Sequence, residues 1–382
     1  MYARYLNIPS DSFLLFGPRG TGKSTWIEQH FSDAAHYDLL NSREALRLER
    51  QPELLFNEQQ HLAPGSWVVV DEVQKVPALM DEVHRLIEKR RLRFVLCGSS
   101  ARKLKRGGAN LLAGRAIMTR MHPLTSAELG ADYDAESVLT RGSLPLAVTG
   151  SDAGAYLTTY ADTYLNEEIR AEALTRNVGA FSRFLEVAAR QNGQVTNMAN
   201  LSREASVGRT TVQNYFDILV DTLVGFWLPA WQLKRANKQV VHPKFYLFDT
   251  GVARALSGRL PYPPTQEELG ALMETLVVNE VRAYLDYHGL RYPLHFWRNY
   301  DGAEVDLFVE TRSGHVAVEI KAAREWQRRF GNGLRLLQGS MEPTRVRAFG
   351  VFRGSRRMEG DGVTVLPLLD FLRELWKGAI IA

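Results

Sequence analysis

Residues 17–24 read Gly-Pro-Arg-Gly-Thr-Gly-Lys-Ser, and they follow the apolar run Phe13-Leu14-Leu15-Phe16. The glycines let the backbone N–H groups turn inward around a phosphate, while the lysine reaches the β- and γ-phosphate oxygens and the serine hydroxyl binds Mg²⁺. The helix expected to begin here adds its positive dipole end. The pattern predicts a nucleoside triphosphate site, formed by Gly17, Pro18, Arg19, Gly20, Thr21, Gly22, Lys23, Ser24 and Thr25.

A second run of residues predicts what happens to that nucleotide. Trp67-Val68-Val69-Val70 is a continuous apolar strand that ends in two carboxylates, Asp71 and Glu72. Such a strand is typical of the centre of a parallel sheet that is buried on both faces. We expect Asp71 to hold Mg²⁺ and Glu72 to polarise the attacking water. Because an enzyme that excludes water has no use for this glutamate, the pair favours ATP hydrolysis.

The next apolar strand, Arg93 to Gly98, ends at Ser99, where a polar side chain could contact the γ-phosphate or the water. Taken together, these segments resemble the AAA+ superfamily, in which this serine would be the sensor. More narrowly, GPRGTGKST, VVVDEVQ, GSSARKL and LAGR resemble bacterial and archaeal AAA+ ATPases with a long C-terminal domain. The resemblance covers about the first third of the chain and implies ATP and Mg²⁺ as cofactors.

Arg115 ends the LAGR motif and is the candidate arginine finger, a residue that neutralises transition-state charge in a neighbouring subunit. A structural or DNA-facing role is the alternative, and Arg19 is a weaker candidate for the finger. A finger that acts between subunits requires a homo-oligomer, such as a hexameric ring.

The middle of the chain becomes helical after Pro123. Between Thr196 and Trp231 the pattern predicts a short helix, a turn, a longer helix and a strand, in an order that resembles a winged helix-turn-helix. Short polar donors and a guanidinium at the start of the longer helix suit contacts to DNA phosphates and base edges. Packing against protein is the alternative. The candidate DNA-binding residues are Arg209, Thr210, Thr211, Gln213 and Asn214.

A third group of polar residues lies on a predicted C-terminal hairpin, with Asp306 on one strand and Glu319-x-Lys321 on the next. Two carboxylates can hold Mg²⁺ or Mn²⁺, and a nearby lysine can orient or deprotonate water. The spacing resembles the PD-(D/E)XK nuclease core, and the resemblance implies Glu274, in Gly270-x-x-x-Glu274, as the third acidic ligand. The alternative is a degenerate nuclease fold that is kept for binding or packing.

Composition adds limits to these assignments. The 382 residues exceed a single core, and the net charge of +4 permits contact with nucleic acid without establishing it. No apolar run approaches the length of a membrane span, there is no signal-peptide core, and the single Cys97 gives no disulfide or zinc framework. We therefore expect a cytoplasmic protein that has no contact with membranes.

The predicted fold is α/β with three domains: an AAA+ parallel-sheet core at 1–135, a helical and winged-helix domain at 136–240, and an α/β nuclease-like domain at 241–382. The predicted function is ATP hydrolysis coupled to binding and remodelling, or cleavage, of DNA, including branched DNA. The alternative is a nucleotide-dependent switch whose C-terminal domain binds a protein partner and cuts nothing.

Overall fold

The computed structural model describes residues 2–98, 114–164, 177–232, 242–342 and 344–382. The chain divides into two compact units. The first comprises Ala3–Pro123 together with Asp221–Val224, and the second comprises Leu124–Val220 and Gly225–Ala382 together with Met1–Tyr2. Each unit is described by itself.

The first unit is built on a five-stranded sheet in which all strands run parallel, in the order β2-β3-β4-β1-β5. Its strands are β1 (Phe13–Phe16), β2 (Ala35–Asp38), β3 (Trp67–Asp71), β4 (Arg93–Gly98) and β5 (Ile117–Arg120). Its helices are α1 (Lys23–His30), α2 (Ser42–Arg50), α3 (Leu54–Gln59) and α4 (Leu79–Arg90). Because β4 lies between β1 and β3, the chain segments that follow these three strands meet at one edge of the sheet.

The central strands of this sheet are buried along their length. The four residues of β1 are all buried, and so are Val68, Val69 and Val70 of β3. On one face of the sheet, Leu14, Phe16, Val68 and Val70 join a core that includes residues of α4 and β4. Trp26 of α1 packs edge-on against Phe13 of β1, with ring centroids 6.2 Å apart. This contact fixes the start of α1 over the sheet, directly after the glycine-rich loop.

The second unit begins with a group of helices. They are α5 (Ser126–Leu129), α6 (Ala135–Arg141), α7 (Pro145–Thr149) and α8 (Ala153–Thr159), and a π-helical turn at Tyr160–Tyr164 follows α8. Three more helices and a two-stranded antiparallel sheet come next: α9 (Val178–Arg190), α10 (Met198–Glu204), α11 (Arg209–Asp221), β6 (Gly225–Leu228) and β7 (Lys244–Leu247). Phe184 of α9 packs against Tyr215 and Phe216 of α11. The short helix, the longer helix and the strand expected between Thr196 and Trp231 are present.

The remainder of this unit is a six-stranded mixed sheet with helices against it. After α12 (Thr250–Leu256) and the long α13 (Gln266–Tyr287) come β8 (Leu294–Arg298), β9 (Glu304–Thr311), β10 (Gly314–Lys321), α14 (Asn332–Met341), β11 (Val346–Phe352), β12 (Met358–Gly360), β13 (Val363–Pro367) and α15 (Leu368–Trp376). The strand order is β12-β13-β11-β10-β9-β8. β9 is antiparallel to both β8 and β10, whereas β10, β11 and β13 run parallel.

Helix α13 is hydrogen-bonded to the residues after α9 and to β7. The Asn192 amide donates to the Thr275 hydroxyl over 2.7 Å, and the Asn279 amide donates to the Leu247 carbonyl over 3.0 Å. Residues that sequence patterns assign to a middle and a C-terminal domain therefore lie in one compact unit, and the three-domain division stays a prediction. None of the described helices combines the length and the apolar character that crossing a membrane requires.

Candidate functional site

The glycine-rich loop at 17–24, called the phosphate loop from here on, connects β1 to α1. The Lys23 ammonium donates to the carbonyls of Gly17, over 2.7 Å, and Pro18, over 3.0 Å. The Thr21 hydroxyl donates to the Pro18 carbonyl over 2.8 Å. These bonds hold the lysine inside the loop, so its charge faces the space that the loop encloses.

Glycine is required at this loop for two different reasons. Gly20 and Gly22 have φ angles of 79° and 91°, in the left-handed region that other residues rarely adopt. A Cβ on Gly17 would lie 2.5 Å from the Met121 carbonyl oxygen. The backbone therefore forms a cradle that side chains would fill, and the buried Lys23 supplies a positive charge to it. These features fit the phosphates of a nucleoside triphosphate.

Ser24 and Asp71 bring their oxygens together across the edge of the sheet. The Ser24 hydroxyl, in the first turn of α1, donates to Asp71 Oδ2 over 3.1 Å. Asp71 ends β3, and its Oδ1 accepts the Glu72 backbone N–H over 2.9 Å. A hydroxyl and a carboxylate beside a phosphate cradle are ligands that Mg²⁺ prefers. The pair fits the predicted metal site, and bound Mg²⁺ would supply charge neutralisation to the phosphates.

Glu72 has an unusual backbone conformation, with φ of 56° and ψ of 42°. A left-handed glutamate at the end of a buried strand is a strained position, and such positions cluster at functional sites. Burial raises the pKa of Glu72, and the Lys23 ammonium offsets part of that rise. The Gln74 amide donates to the Glu72 carboxylate. Glu72 is thus held in place with a pKa shifted toward neutrality, as suits a general base.

The other residues assigned to this site differ in position. Arg19 and Thr25 are exposed on the phosphate loop and α1. Arg115 forms an ion pair with Glu88 of α4 in the same chain. Ser99 lies outside the described residues, although the strand that precedes it, β4, does lie between β1 and β3. The sensor and finger roles therefore remain predictions.

In the second unit the predicted hairpin is formed by β9 and β10. Its register pairs Leu307 with Val318, and continuing it places Asp306 beside Glu319. Both side chains are buried, and the Ile320 backbone N–H donates to Asp306 Oδ2 over 2.7 Å. The Lys321 ammonium contacts Glu319 and lies 3.9 Å from Asp306 Oδ2. The structure thus brings these three residues together, on the two adjacent strands that the sequence predicts.

A residue that the sequence did not single out lies at the centre of this group. The Lys244 ammonium of β7 is 2.7 Å from Glu274 Oε1, 2.5 Å from Glu304 Oε1 and 3.7 Å from Asp306 Oδ1. The Tyr246 hydroxyl donates to the same Glu274 oxygen. Burial lowers the pKa of Lys244, but the three carboxylates outweigh this effect and raise it overall. We call Lys244, Glu274, Glu304, Asp306, Glu319 and Lys321 the acidic centre.

The acidic centre contains the predicted ligands but does not fit a divalent cation as it stands. Glu274 and Asp306 are close to each other, yet the charge between them is that of Lys244. Across the described residues, no three His, Cys, Asp or Glu side chains are grouped as they would be around a metal ion. Burial raises the pKa of Glu319, so its charged form is disfavoured in this centre.

Glu280, six residues after Glu274 on α13, lies on another face of the helix and has a separate role. Its carboxylate accepts the Ser126 backbone N–H over 2.7 Å, the Ser126 hydroxyl over 2.9 Å and the Trp376 indole N–H over 2.7 Å. All three partners are donors, which binds α5 and α15 to α13. Glu280 therefore stabilises the packing of these three helices. Glu274 is the residue of α13 that belongs to the acidic centre.

The candidate DNA-binding residues occupy the first turns of α11. Arg209, Thr210, Gln213 and Asn214 are exposed, and Thr211 is half-buried. The opposite face of the helix, with Val212, Tyr215, Phe216 and Leu219, is buried. The helix is therefore amphipathic, and it presents the predicted residues on its polar face.

Lys244 and Tyr246 are the functional-site residues that the sequence analysis missed. One signal was available, since Lys244-Phe245-Tyr246-Leu247-Phe248 is an apolar run that contains a single charge. A lysine in such a strand is almost never fully buried unless it is paired. The identity of its partners could not be read from the sequence, because Glu274 and Asp306 are 30 and 62 residues away.

Comparisons with known proteins agree with part of this description. An AAA domain matches residues 10–130, a domain of unknown function (DUF8612) matches residues 133–262, and another domain of unknown function (DUF4143) matches residues 269–371. Uncharacterized proteins of Mycobacterium bovis and of Mycobacterium tuberculosis are each 30% identical over 318 residues, which cover 81% of this chain and 69% of theirs.

Solved structures give weaker likenesses. The Aeropyrum pernix ORC1 protein, solved in complex with DNA, is 16% identical and gives a TM-score of 0.25 over 66% of this chain and 87% of that one. A DNA polymerase III gamma subunit-related protein from Thermotoga maritima is 10% identical, with a TM-score of 0.24 over 56% of this chain and 93% of that one. At these scores neither likeness supports a conclusion about fold or function.

Proposed function

Because the chain belongs to the family of the two mycobacterial proteins and carries an AAA domain, we propose that it hydrolyses ATP with Mg²⁺ and couples hydrolysis to binding and remodelling of DNA. The observation that carries the ATPase assignment is the meeting of three groups at one sheet edge. They are the phosphate loop with its Lys23, the Ser24–Asp71 pair and the strained Glu72.

Each of these groups has a distinct part in the proposed reaction. Lys23 and the backbone N–H groups of the phosphate loop bind the phosphate oxygens and stabilise charge on them. Ser24 and Asp71 hold Mg²⁺. Glu72 accepts a hydrogen bond from the attacking water and orients it toward the γ-phosphate. Its raised pKa, caused by burial, makes it a better proton acceptor than an exposed glutamate.

The test is substitution of Glu72→Gln, which preserves shape and removes the basic oxygen. We expect ATP binding to be retained and turnover to fall by about 10²-fold or more, because general-base catalysis contributes about that much. Steady-state phosphate release and equilibrium binding of a fluorescent ATP analogue measure the two properties. Glu28→Gln, an exposed glutamate on α1, is the matched control and should leave both unchanged. Undiminished turnover in Glu72→Gln would refute the assignment.

The DNA part of the proposal rests on the second unit. Helices α9, α10 and α11 followed by the β6–β7 pair have the element order of a winged helix-turn-helix, and α11 carries Arg209 at its exposed N-terminus. An arginine, two threonines and two amides on the polar face of a would-be recognition helix suit duplex contacts. We propose that this face binds DNA and that ATP turnover acts through it. A homo-oligomer, completed by Arg115, is part of the same proposal.

The C-terminal sheet supports a nuclease-like fold but gives less support to cleavage. Helix α13, the β8-β9-β10 meander, α14 and parallel β11 follow the order of the PD-(D/E)XK core, and Asp306, Glu319 and Lys321 occupy the corresponding positions. Lys244 favours the second candidate function, a nucleotide-dependent switch in which this domain binds a protein partner and cuts nothing. Its ammonium lies where a cleavage mechanism needs a metal ion, so we derive no cleavage step.

A further inference from the structure

The Lys244 ammonium is a deeply buried charge of the second unit, since its side chain is only 4% exposed. Burying an unpaired ammonium costs several kcal/mol, so such a lysine requires close counter-charges. Glu274 from α13 and Glu304 and Asp306 from β9 provide them. The acidic centre is therefore arranged around a positive charge that belongs to the chain itself.

The position of this charge is set by the backbone. Lys244 begins β7, where it pairs with Leu228 of β6 and forms a bridge with Val195. Its ammonium lies 5.3 Å from the centroid of the Phe296 ring on β8, and the next residue, Phe245, is buried. The backbone pairing of β7 and the contact with Phe296 thus place the ammonium next to the carboxylates.

A divalent cation could not share this position. Mg²⁺ and Ca²⁺ bind carboxylate oxygens at about 2.0–2.6 Å. The Lys244 nitrogen lies 2.7 Å from Glu274 Oε1 and 2.5 Å from Glu304 Oε1, and it also faces Asp306. An ion bound to Glu274 and Asp306 would overlap the ammonium or lie against it, where like charges repel strongly at low dielectric.

We propose that the Lys244 ammonium permanently takes the place of a divalent cation in the acidic centre, which makes this nuclease-like domain a metal-independent module that joins β7 to α13 and β9. This inference concerns a site separate from the phosphate loop and does not depend on ATP hydrolysis. The role of the acidic centre is then to hold the second unit together.

The first experiment titrates nucleotide-free wild-type protein with Mn²⁺ and detects bound ion by electron paramagnetic resonance. We expect the wild type to have no Mn²⁺ site in the acidic centre. Asp306→Asn and Glu319→Gln should therefore bind as much Mn²⁺ as the wild type does. The change in thermal unfolding between chelator and excess Mn²⁺ should likewise be the same in wild type and in Asp306→Asn, because an ion that does not bind the acidic centre of the native state cannot stabilise the protein through it. A stoichiometric Mn²⁺ site in the wild type that either substitution abolishes would overturn the proposal.

The second experiment removes the internal charge with Lys244→Ala. We expect this variant to unfold at lower temperature in chelator and to gain Mn²⁺ binding at least about tenfold tighter than the wild type, equivalent to about 1.4 kcal/mol. Mn²⁺ should in turn restore part of the lost thermal stability. The matched control is Lys377→Ala, an exposed lysine at the end of α15 in the same unit, which should change neither property.

A third variant keeps the test valid if Lys244→Ala does not fold. Lys244→Met with Glu274→Gln removes one positive and one negative charge together, so the acidic centre keeps the same excess of carboxylates over ammonium groups as in the wild type. Measured in chelator, this double variant should be folded, and it should not bind Mn²⁺. A folded Lys244→Ala protein with no gain in Mn²⁺ affinity would contradict the inference.

Discussion

At the residue scale, the protein buries several carboxylates and compensates each one differently. Glu72 is opposed by the Lys23 charge and by the Gln74 amide, and Glu274 by the Lys244 charge. Glu280 receives only neutral donors, from Ser126 and Trp376. Neutral donors compensate an ionised carboxylate less than a full positive charge does. Among these carboxylates, we therefore expect Glu280 to be the one whose protonation changes the free energy of unfolding most.

The prediction for Glu280 concerns the pH dependence of stability. Burial raises its pKa from 4.5 in the unfolded chain to about 7 in the folded protein. Between these values the folded state holds a proton that the unfolded state releases, so the stabilisation is complete below pH 4.5 and is lost as the pH rises through about 7. The shift corresponds to at most about 3 kcal/mol.

Urea unfolding at a series of pH values measures this effect. Relative to wild type, Glu280→Gln should show a flatter dependence of unfolding free energy on pH across this range, because the amide does not titrate. Glu267→Gln, an exposed glutamate on the same helix, should keep the wild-type slope. Identical slopes in wild type and Glu280→Gln would show that Glu280 is charged throughout.

At the element scale, α11 and β7 contribute to different sites. Helix α11, which β6 separates from β7 in the sequence, directs a polar face outward, whereas β7 directs Lys244 into the acidic centre. If the proposal for DNA is right, the same β-pair supports the contact surface on one side and closes the acidic centre on the other.

The prediction at this scale is that Arg209→Ala weakens binding of duplex and branched DNA. Loss of one phosphate contact should also lower the slope of log affinity against log salt by about 1. Fluorescence anisotropy at several salt concentrations gives both quantities. Arg190→Ala, an exposed arginine in the last turn of α9 that pairs with Glu186, is the matched control. Equal effects of the two substitutions would remove α11 from the DNA-binding surface.

The same DNA samples, incubated with Mg²⁺ or Mn²⁺, distinguish the two candidate functions of the C-terminal domain. We expect the DNA to remain uncut. Cleavage that is lost in Asp306→Ala would favour a nuclease instead, and it would also oppose the metal-independent role of the acidic centre.

At the scale of the whole molecule, the ATPase assignment raises the question of assembly. Arg115 pairs with Glu88 within its own chain, and both side chains are partly exposed. An exposed ion pair contributes little to stability, so it could be exchanged for a contact with a neighbouring subunit at small cost. Completion of the ATP site by Arg115 would then need a homo-oligomer.

Mixing two inactive variants tests this arrangement. Arg115→Ala and Glu72→Gln should each hydrolyse ATP slowly when alone, but mixed oligomers contain some sites with an intact Glu72 and an intact arginine from the neighbour. We expect part of the turnover to return on mixing, together with an ATP-dependent increase in native mass. Arg85→Ala, which removes an exposed arginine of α4, is the control. No recovery in demonstrably mixed oligomers would exclude action between subunits.

The sequence by itself determined the phosphate loop, because its information is local. Three glycines within six residues, followed by lysine and serine, leave few backbone conformations and one kind of ligand. It also determined that Glu319 and Lys321 share a face of one strand and that Asp306 lies on the adjacent strand, since alternation within a strand and a short turn between strands are local features. The start of α11 could be predicted for the same reason, from its helical period.

Only the tertiary structure decided what surrounds these residues. It set β4 between β1 and β3, placed Glu280 away from the acidic centre, and brought the lone lysine of β7 among carboxylates that follow 30 to 62 residues later. Contacts over such distances depend on how helices and sheets pack, which no local pattern records. The physical reason is that a buried charge is specified by its partners, and those partners meet only when the chain has folded.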